Sequence, residues 1–443
     1  MMRKQGMLFL LFLILTATGI GASDQVPAPN QDHPIVLTGG TIHTVSGPVI
    51  EGGQILFDKG RIVAVGQRVD IPQNAETIDV TGKQIYPAFI VAESVLGLLE
   101  ILRHRSSVDA DETGTINPNV RTERAYNPES EHIPVVRSNG IGLAHVVPEG
   151  GVLSGTSAVM MLDGWTWEDA LLKDQVGVWL NWPDMEVVDN HRQGTTREAQ
   201  EKEIRKQLQN LDKVFDAAEA YHQSKTGDNA NLKSDLRWES LEPVIAKRIP
   251  LFIRAEHAKQ IISAVNWAER RNYQMVLVGG TDAWLVPDLL KEHGIPVMVG
   301  TPNAVPTRRW EAYDTRYTLP ARLHEAGISF CLTPKGGNSE DHDVLRNLPF
   351  EAGATVAFGL PREEAVKAIT LNAARILGID HRVGSLDPGK DATLIVVEGD
   401  PLEITSRIEL LYIQGRQVDL GNKHTALYEK YRERYRQMGI VPR

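Results

Sequence analysis

Between residues 85 and 382, short apolar runs and amphipathic helical stretches take turns along the chain. This alternation restricts the fold more than any other feature. Eight candidate strands stand out: Ile85–Val91, Gly142–Val147, Ser157–Leu162, Val176–Leu180, Pro250–Arg254, Gln274–Val278, Pro296–Val299 and Ile328–Leu332. Ala258–Arg271, Ala283–His293 and Pro361–Leu377 carry apolar residues at helical spacing. Strand, helix, strand in succession reads as a parallel βαβ unit, and eight such units make an α/β (β/α)8 TIM barrel over 85–382. A doubly wound open sheet is the competing architecture, but no Gly-rich dinucleotide fingerprint sits between a strand and a helix.

The ends have a different texture. Residues 34–84 hold short β-rich runs cut by turns, and Asp58-Lys59-Gly60-Arg61 between two apolar runs is a hairpin signal. Similar β-runs return over 383–420, at Gly384–Val397 and Ile408–Val418. Neither end has enough strands for its own core, so the two are expected to build one composite β-sandwich. Residues 23–33, rich in Pro, Gln and Asp, read as a flexible leader. Residues 421–443 read as a basic helix packed on the barrel exterior. Two polar insertions interrupt the barrel pattern. Arg103–Glu131 follows the first strand, where a barrel places ligand-binding loops. Arg192–Arg237 is charged and mostly helical, either a lid or a solvated excursion.

The 443 residues suffice for a large core plus a smaller one. A net charge of −10 without any long basic run argues against nucleic acid as a partner. At the start, Arg3 and Lys4 precede the apolar run Met7–Ile14 and the small residues Thr18, Gly19, Gly21 and Ala22. Residues 1–22 therefore read as a signal peptide cleaved near Ala22–Ser23, which places the mature protein in the periplasm or outside the cell. The competing reading, an uncleaved anchor, meets a run shorter than the ~20 apolar residues of a membrane span. Cys331 is the sole cysteine; it lies in an apolar run and reads as a buried structural thiol.

Several longer motifs are more specific. Gly39-Gly40-Thr41-Ile42, Asp58-Lys-Gly-Arg-Ile62 and Tyr86-Pro-Ala-Phe-Ile90 mark the N-terminal part. Arg346–Gly353, Ala368–Gly378 and Gly384–Ala392 mark the C-terminal part. Together they resemble a metal-dependent amidohydrolase of the imidazolonepropionase-like branch. The resemblance implies a β-sandwich and a metal-bearing barrel that hydrolyses C–N bonds of small amides or cyclic ureides. It also implies one or two divalent metals that polarise a carbonyl and activate water, held by imidazoles at several strand ends, with a carboxylate after strand 8 as base.

The residues at those positions are different. Where the resemblance calls for His-x-His after strand 1, the chain has Glu93 and Val95; Arg254 stands for the strand 5 His and Gly279 for the strand 6 His. Val176–Leu180 has no Lys to bridge metals, and Lys335 occupies the expected place of the acid. Val and Gly have no donor atom, and Arg is permanently charged. No metal or other cofactor is therefore expected; zinc enters only if other ligands hold it.

What remains in the pocket supports two readings. Arg254 and Glu93 either close a dead site as a buried ion pair, or Arg254 and Lys335 grip an anion. Asp341 and Asp343 form the nearest acidic cluster, and with His342 and His257 could make a new metal site. His145 faces the pocket or packs in the wall, and Trp165 walls the pocket or packs a loop. The expected function is a degenerate, non-catalytic barrel that binds a small molecule, forms a homo-oligomer or supports an active amidohydrolase. The alternative is a working hydrolase with Glu93 or Asp341/Asp343 as base and Arg254 as electrophile.

Overall fold

The computed structural model describes residues 25–187, 196–226, 233–334 and 344–441. Strands from both ends of the chain pair in one sheet. β1 (Ile35–His43), β2 (Val49–Asp58), β3 (Arg61–Gly66), β4 (Glu76–Asp79) and β5 (Gln84–Pro87) come from the N-terminal side. β16 (Leu394–Glu398), β17 (Arg407–Ile413) and β18 (Arg416–Gln417) come from the C-terminal side. The order is β18-β17-β16-β5-β1-β2-β3, with β4 also on β1. β5 is the joint, antiparallel to β16 and parallel to β1. The sheet curls until Arg61 in β3 bridges Asp391, just before β16. Ile35, Leu37, Ile55, Phe57, Leu394, Val396 and Tyr412, spaced two apart along their strands, fill its core. Lys59 and Gly60, at φ 49° and 77°, make the tight turn from β2 to β3.

The first expected strand, Ile85–Val91, divides at Ala88. β5 stays with the end sheet, and β6 (Phe89–Ser94) starts a second region. There β6 pairs in parallel with β7 (Ile141–Val146). β11 (Val178–Asn181), β12 (Leu251–Ala255), β13 (Met275–Gly279), β14 (Val297–Val299) and β15 (Phe330–Leu332) pair in parallel, each with the next. That sequential order has no switch point, so the doubly wound alternative does not apply.

The third strand departs from expectation. Leu153–Met161 runs antiparallel to its neighbours, as β8 (Leu153–Thr156) against β11 and β9 (Ala158–Met161) against β7. Ser157 joins the halves, donating its N–H to Gly177 O at 3.0 Å while its carbonyl accepts from Val176 N at 2.9 Å. Residues 147–152 join β7 to β8 without a helix, and so short a link allows only a reversal, because a parallel connection needs a long crossover. β10 (Leu171–Lys173) extends this wall antiparallel to β9. At the far end, Thr333 after β15 donates to Glu93 O at 3.3 Å.

Helices cover the outside. Helix Arg197–Thr226 buries Leu211, Phe215, Ala218 and Tyr221. Phe215 meets Trp267 edge-on at 4.9 Å, and Arg271 pairs with Asp212, Asp216 and Glu219. The charged insertion thus lies on helix Ala258–Arg271, while its tip beyond Thr226 lies outside the described residues. The expected helix Pro361–Leu377 is two, Arg362–Ala368 and Leu371–Ile376. Loop 103–131 starts at the strand ends and then runs along β8, bridging Ile116 to Leu153 and Arg121 to Thr156.

Two terminal expectations change. The leader is tied down: Gln25 accepts from Arg137 and donates to Gly421 O, Ala28 N donates to Asp163, and Gln31 spans Phe57 O and Gly60 N. Helix Lys423–Gln437, expected against the barrel, buries none of its side chains.

Candidate functional site

The C-terminal ends of β6, β11, β12 and β13 bring Glu93, Asn181, Arg254 and Gly279 to one end of the strands. Glu93 is 1% exposed, so its carboxylate needs a partner. Arg254 supplies it, with Nη1 2.7 Å from Glu93 Oε1. The contact is an ion pair off the hydrogen-bonding direction, and Oε1 accepts no aligned bond. Burial draws the Arg254 pKa down, but the Glu93 charge outweighs it and holds the guanidinium above its ordinary value. Arg254 Nε donates to Asn181 Oδ1 at 3.3 Å, and the guanidinium lies 5.3 Å from the Trp179 ring. Asn181 Nδ2 in turn donates to Gly151 O at 3.0 Å and approaches Ser154 Oγ at 3.1 Å. Gly150 and Gly151, at φ 75° and 62°, present carbonyls to Asn181, which makes this Gly-rich segment a tight turn and not an anion cradle.

Gly279 is tied to Glu256, the residue that follows β12. A Cβ at 279 would lie 2.1 Å from Glu256 Oε1, and φ is 88°. Glu256 occupies the space a strand 6 imidazole would need, and accepts from Thr281 N at 3.2 Å and from the Thr281 hydroxyl. The glycine at 279 and the carboxylate at 256 therefore form one arrangement.

Below this end lies His145, fully buried, with Nδ1 2.7 Å from Ala92 O and Nε2 2.7 Å from Ser157 Oγ. A carbonyl only accepts, so Nδ1 carries the proton and Nε2 takes the serine hydroxyl. Burial pushes the His145 pKa down to about 3. Its ring packs beside Trp179 and Phe252, at 5.8 and 5.2 Å, so it belongs to the wall and offers a ligand no exposed surface. Trp165, a candidate pocket residue, is 64% exposed in the turn after β9. Because β9 runs backwards, that turn lies at the opposite end of the strands from Arg254. Cys331 is fully buried, and burial raises its thiol pKa.

A second cluster flanks the mouth. Asp282, fully buried, accepts from Ala258 N at 3.0 Å and from both terminal nitrogens of Arg308, one at 2.8 Å. Burial would raise the Asp282 pKa, but the Arg308 bonds and the Ala258 N–H prevail and lower it. His257 Nδ1 stands 3.3 Å from Arg308 Nη2. The positions Lys335, Asp341, His342 and Asp343 lie outside the described residues. Among the described residues, no three His, Cys, Asp or Glu side chains are grouped to hold a metal ion.

Among the described residues, the side chains at the positions where the sequence resemblance calls for metal ligands do not fit a divalent cation. Val95 is buried and apolar, Gly279 has no side chain, and Arg254 places a positive charge on the Glu93 carboxylate. Asn181, Glu256, Asp282 and Arg308 were missed in the sequence. Asp282 sits three residues after Gly279 and was within reach; Arg308 lies in a connection with no periodic signal.

The strand order and the end sheet define the class, and the comparisons name it. Residues 255–421 match the model of the amidohydrolase family. A solved amidohydrolase from Thermotoga maritima MSB8 superposes with a TM-score of 0.74 at 26% identity, over 87% of this chain and 99% of that one. Molinate hydrolase superposes at 0.52 with 14% identity, over 88% of this chain and 95% of that one, a likeness of fold. Amidohydrolase tasK of Hapsidospora irregularis is 21% identical over 82% of this chain and 39% of that protein. Imidazolonepropionase of Geobacillus kaustophilus is 25% identical over 46% of this chain and 41% of that protein. The chain thus spans about a fifth to two fifths of the length of the curated relatives it matches. These neighbours imply a TIM barrel with a β-rich domain. The family match over 255–421, the imidazolonepropionase homologues and the Thermotoga maritima structure together support placing the chain in the amidohydrolase superfamily, on its imidazolonepropionase-like branch.

Proposed function

We propose that this chain is a non-catalytic member of the superfamily, a barrel closed between β15 and β6 that binds a small molecule or supports an active amidohydrolase. One observation carries the reading: the Arg254 guanidinium lies on Glu93 at 2.7 Å, at strand ends where the sequence resemblance calls for metal-binding histidines. Such a charge repels a divalent cation and cannot ligate one. The linked pair Glu256 and Gly279 supports it, since the replacement extends over neighbouring strands and is not one lost residue. The relatives' C–N chemistry is then what the ancestral scaffold did. The leader-like residues 1–22 support a mature protein in the periplasm or outside the cell.

The test is elemental analysis for zinc, manganese and iron on mature protein purified without chelators or an affinity metal, paired with an assay on small amides and cyclic ureides. Absent metal and absent hydrolysis are expected. Near-stoichiometric metal would overturn the reading. Metal-free hydrolysis that vanishes in both Glu93→Gln and Arg254→Met, with the circular dichroism unchanged, would establish instead a hydrolase built on Glu93 and Arg254.

A further inference from the structure

Helix Lys423–Gln437 is well made yet touches little. Asn422 caps it, accepting from His424 N and Thr425 N in a reciprocal capping box. Isolated helices of about 15 residues are marginal in water and owe their stability to packing an apolar face. This helix has such a face. Leu427, Tyr428, Tyr431, Tyr435 and Met438 are 49, 65, 46, 42 and 57% exposed. At about 100° per residue all five fall within an arc of about 100°, the width of a core-facing stripe. Glu429, Lys430, Arg432, Glu433, Arg434 and Arg436 occupy the rest of the circumference.

We infer that a second copy of this chain covers this stripe, each copy lending its helix to the other's body in a closed two-fold dimer. Charge selects the partner. From 423 to 438 the helix has five Lys and Arg against two Glu, while the whole chain carries −10, so helix and body are of opposite sign. An anionic bilayer would attract the helix and repel that body. The composition agrees, because Tyr and Met, four of the five residues in the stripe, are enriched at protein interfaces. Area suffices as well. Half-exposed side chains of this size offer roughly 100 Å2 each. Five on each of two helices, with the surface they cover, exceed the roughly 1,000 Å2 a specific interface needs.

The inference does not depend on the state of the metal positions. The experiment is sedimentation velocity on the full mature chain across a concentration series. A dimer is expected, weakened by added salt. Tyr431→Glu with Tyr435→Glu should weaken it roughly a hundredfold or more, and Lys430→Glu with Arg434→Glu should weaken it less, both with the melting profile of the body intact. A monomeric native chain would overturn the inference, as would a dimer that both variants leave unchanged. Binding of the native monomer to phosphatidylglycerol vesicles, lost in the tyrosine variant, would overturn it in favour of a membrane surface.

Discussion

At the scale of single residues, charge and burial decide the character of the site. Arg254 and Glu93 satisfy each other where neither would be tolerated alone. His145 is the titrating group whose burial has the clearest consequence. Its folded pKa of about 3 lies below the ordinary value near 6.5. The unfolded chain therefore binds one more proton between those values. Stability from this group is present above pH ~6.5 and is lost as pH falls towards 3, at about 1.4 kcal/mol per pH unit. Urea midpoints at pH 7 and pH 5 should show this slope in the native chain and a slope smaller by that amount in His145→Gln. Equal slopes would mean that the imidazole is not held neutral. Glu93 and Arg254 were legible as a pair because a cation and a carboxylate stand at positions that the motifs mark as strand ends. The interlock of Glu256 with Gly279 was not, since it depends on the close approach of two neighbouring strands.

At the scale of elements, the reversal of the third strand matters most. It moves Trp165 to the end of the strands away from Arg254, and it lets loop 103–131 lie along β8. Apolar runs mark a strand without marking its direction, which here follows from short turns and from pairing on both sides. The connection 300–314 has no periodic pattern at all, and it is held by Arg308 on Asp282. Arg308→Ala should leave the buried Asp282 without its guanidinium partner and release this connection. Chymotryptic cleavage at Trp310 or Tyr313 should then be roughly tenfold faster, the effect of about 1.4 kcal/mol on local opening. Unchanged cleavage would place the restraint elsewhere.

At the scale of the molecule, one buried carboxylate ties three regions together. Asp163 pairs with Arg137 at 3.2 Å and with Arg416 of the end sheet at 3.0 Å, and accepts from Ala28 N of the leader at 3.2 Å. Burial raises its pKa, against the two guanidinium charges. Asp163→Asn would leave the buried Arg137 and the partly buried Arg416 without this counter-charge, at a cost of about 3 kcal/mol. The urea midpoint should fall accordingly, and the leader should become sensitive to proteolysis. A variant as stable as the native chain would show that the sheet contact alone fixes the leader.

The alternation of strands and helices, the strand-rich texture of both chain ends, and the lack of a metal-ligating side chain at Val95, Arg254 and Gly279 follow from the amino-acid order alone. All three are local: periodicity follows backbone geometry, and a side chain either has a donor atom or lacks one. Tertiary structure alone decided the direction of the third strand, the docking of the leader, the burial of His145 and the bareness of the last helix. Each depends on which surfaces meet, and residues far apart in the chain, such as Glu93 and Arg254 or Gln25 and Arg137, share an environment only after the fold has formed.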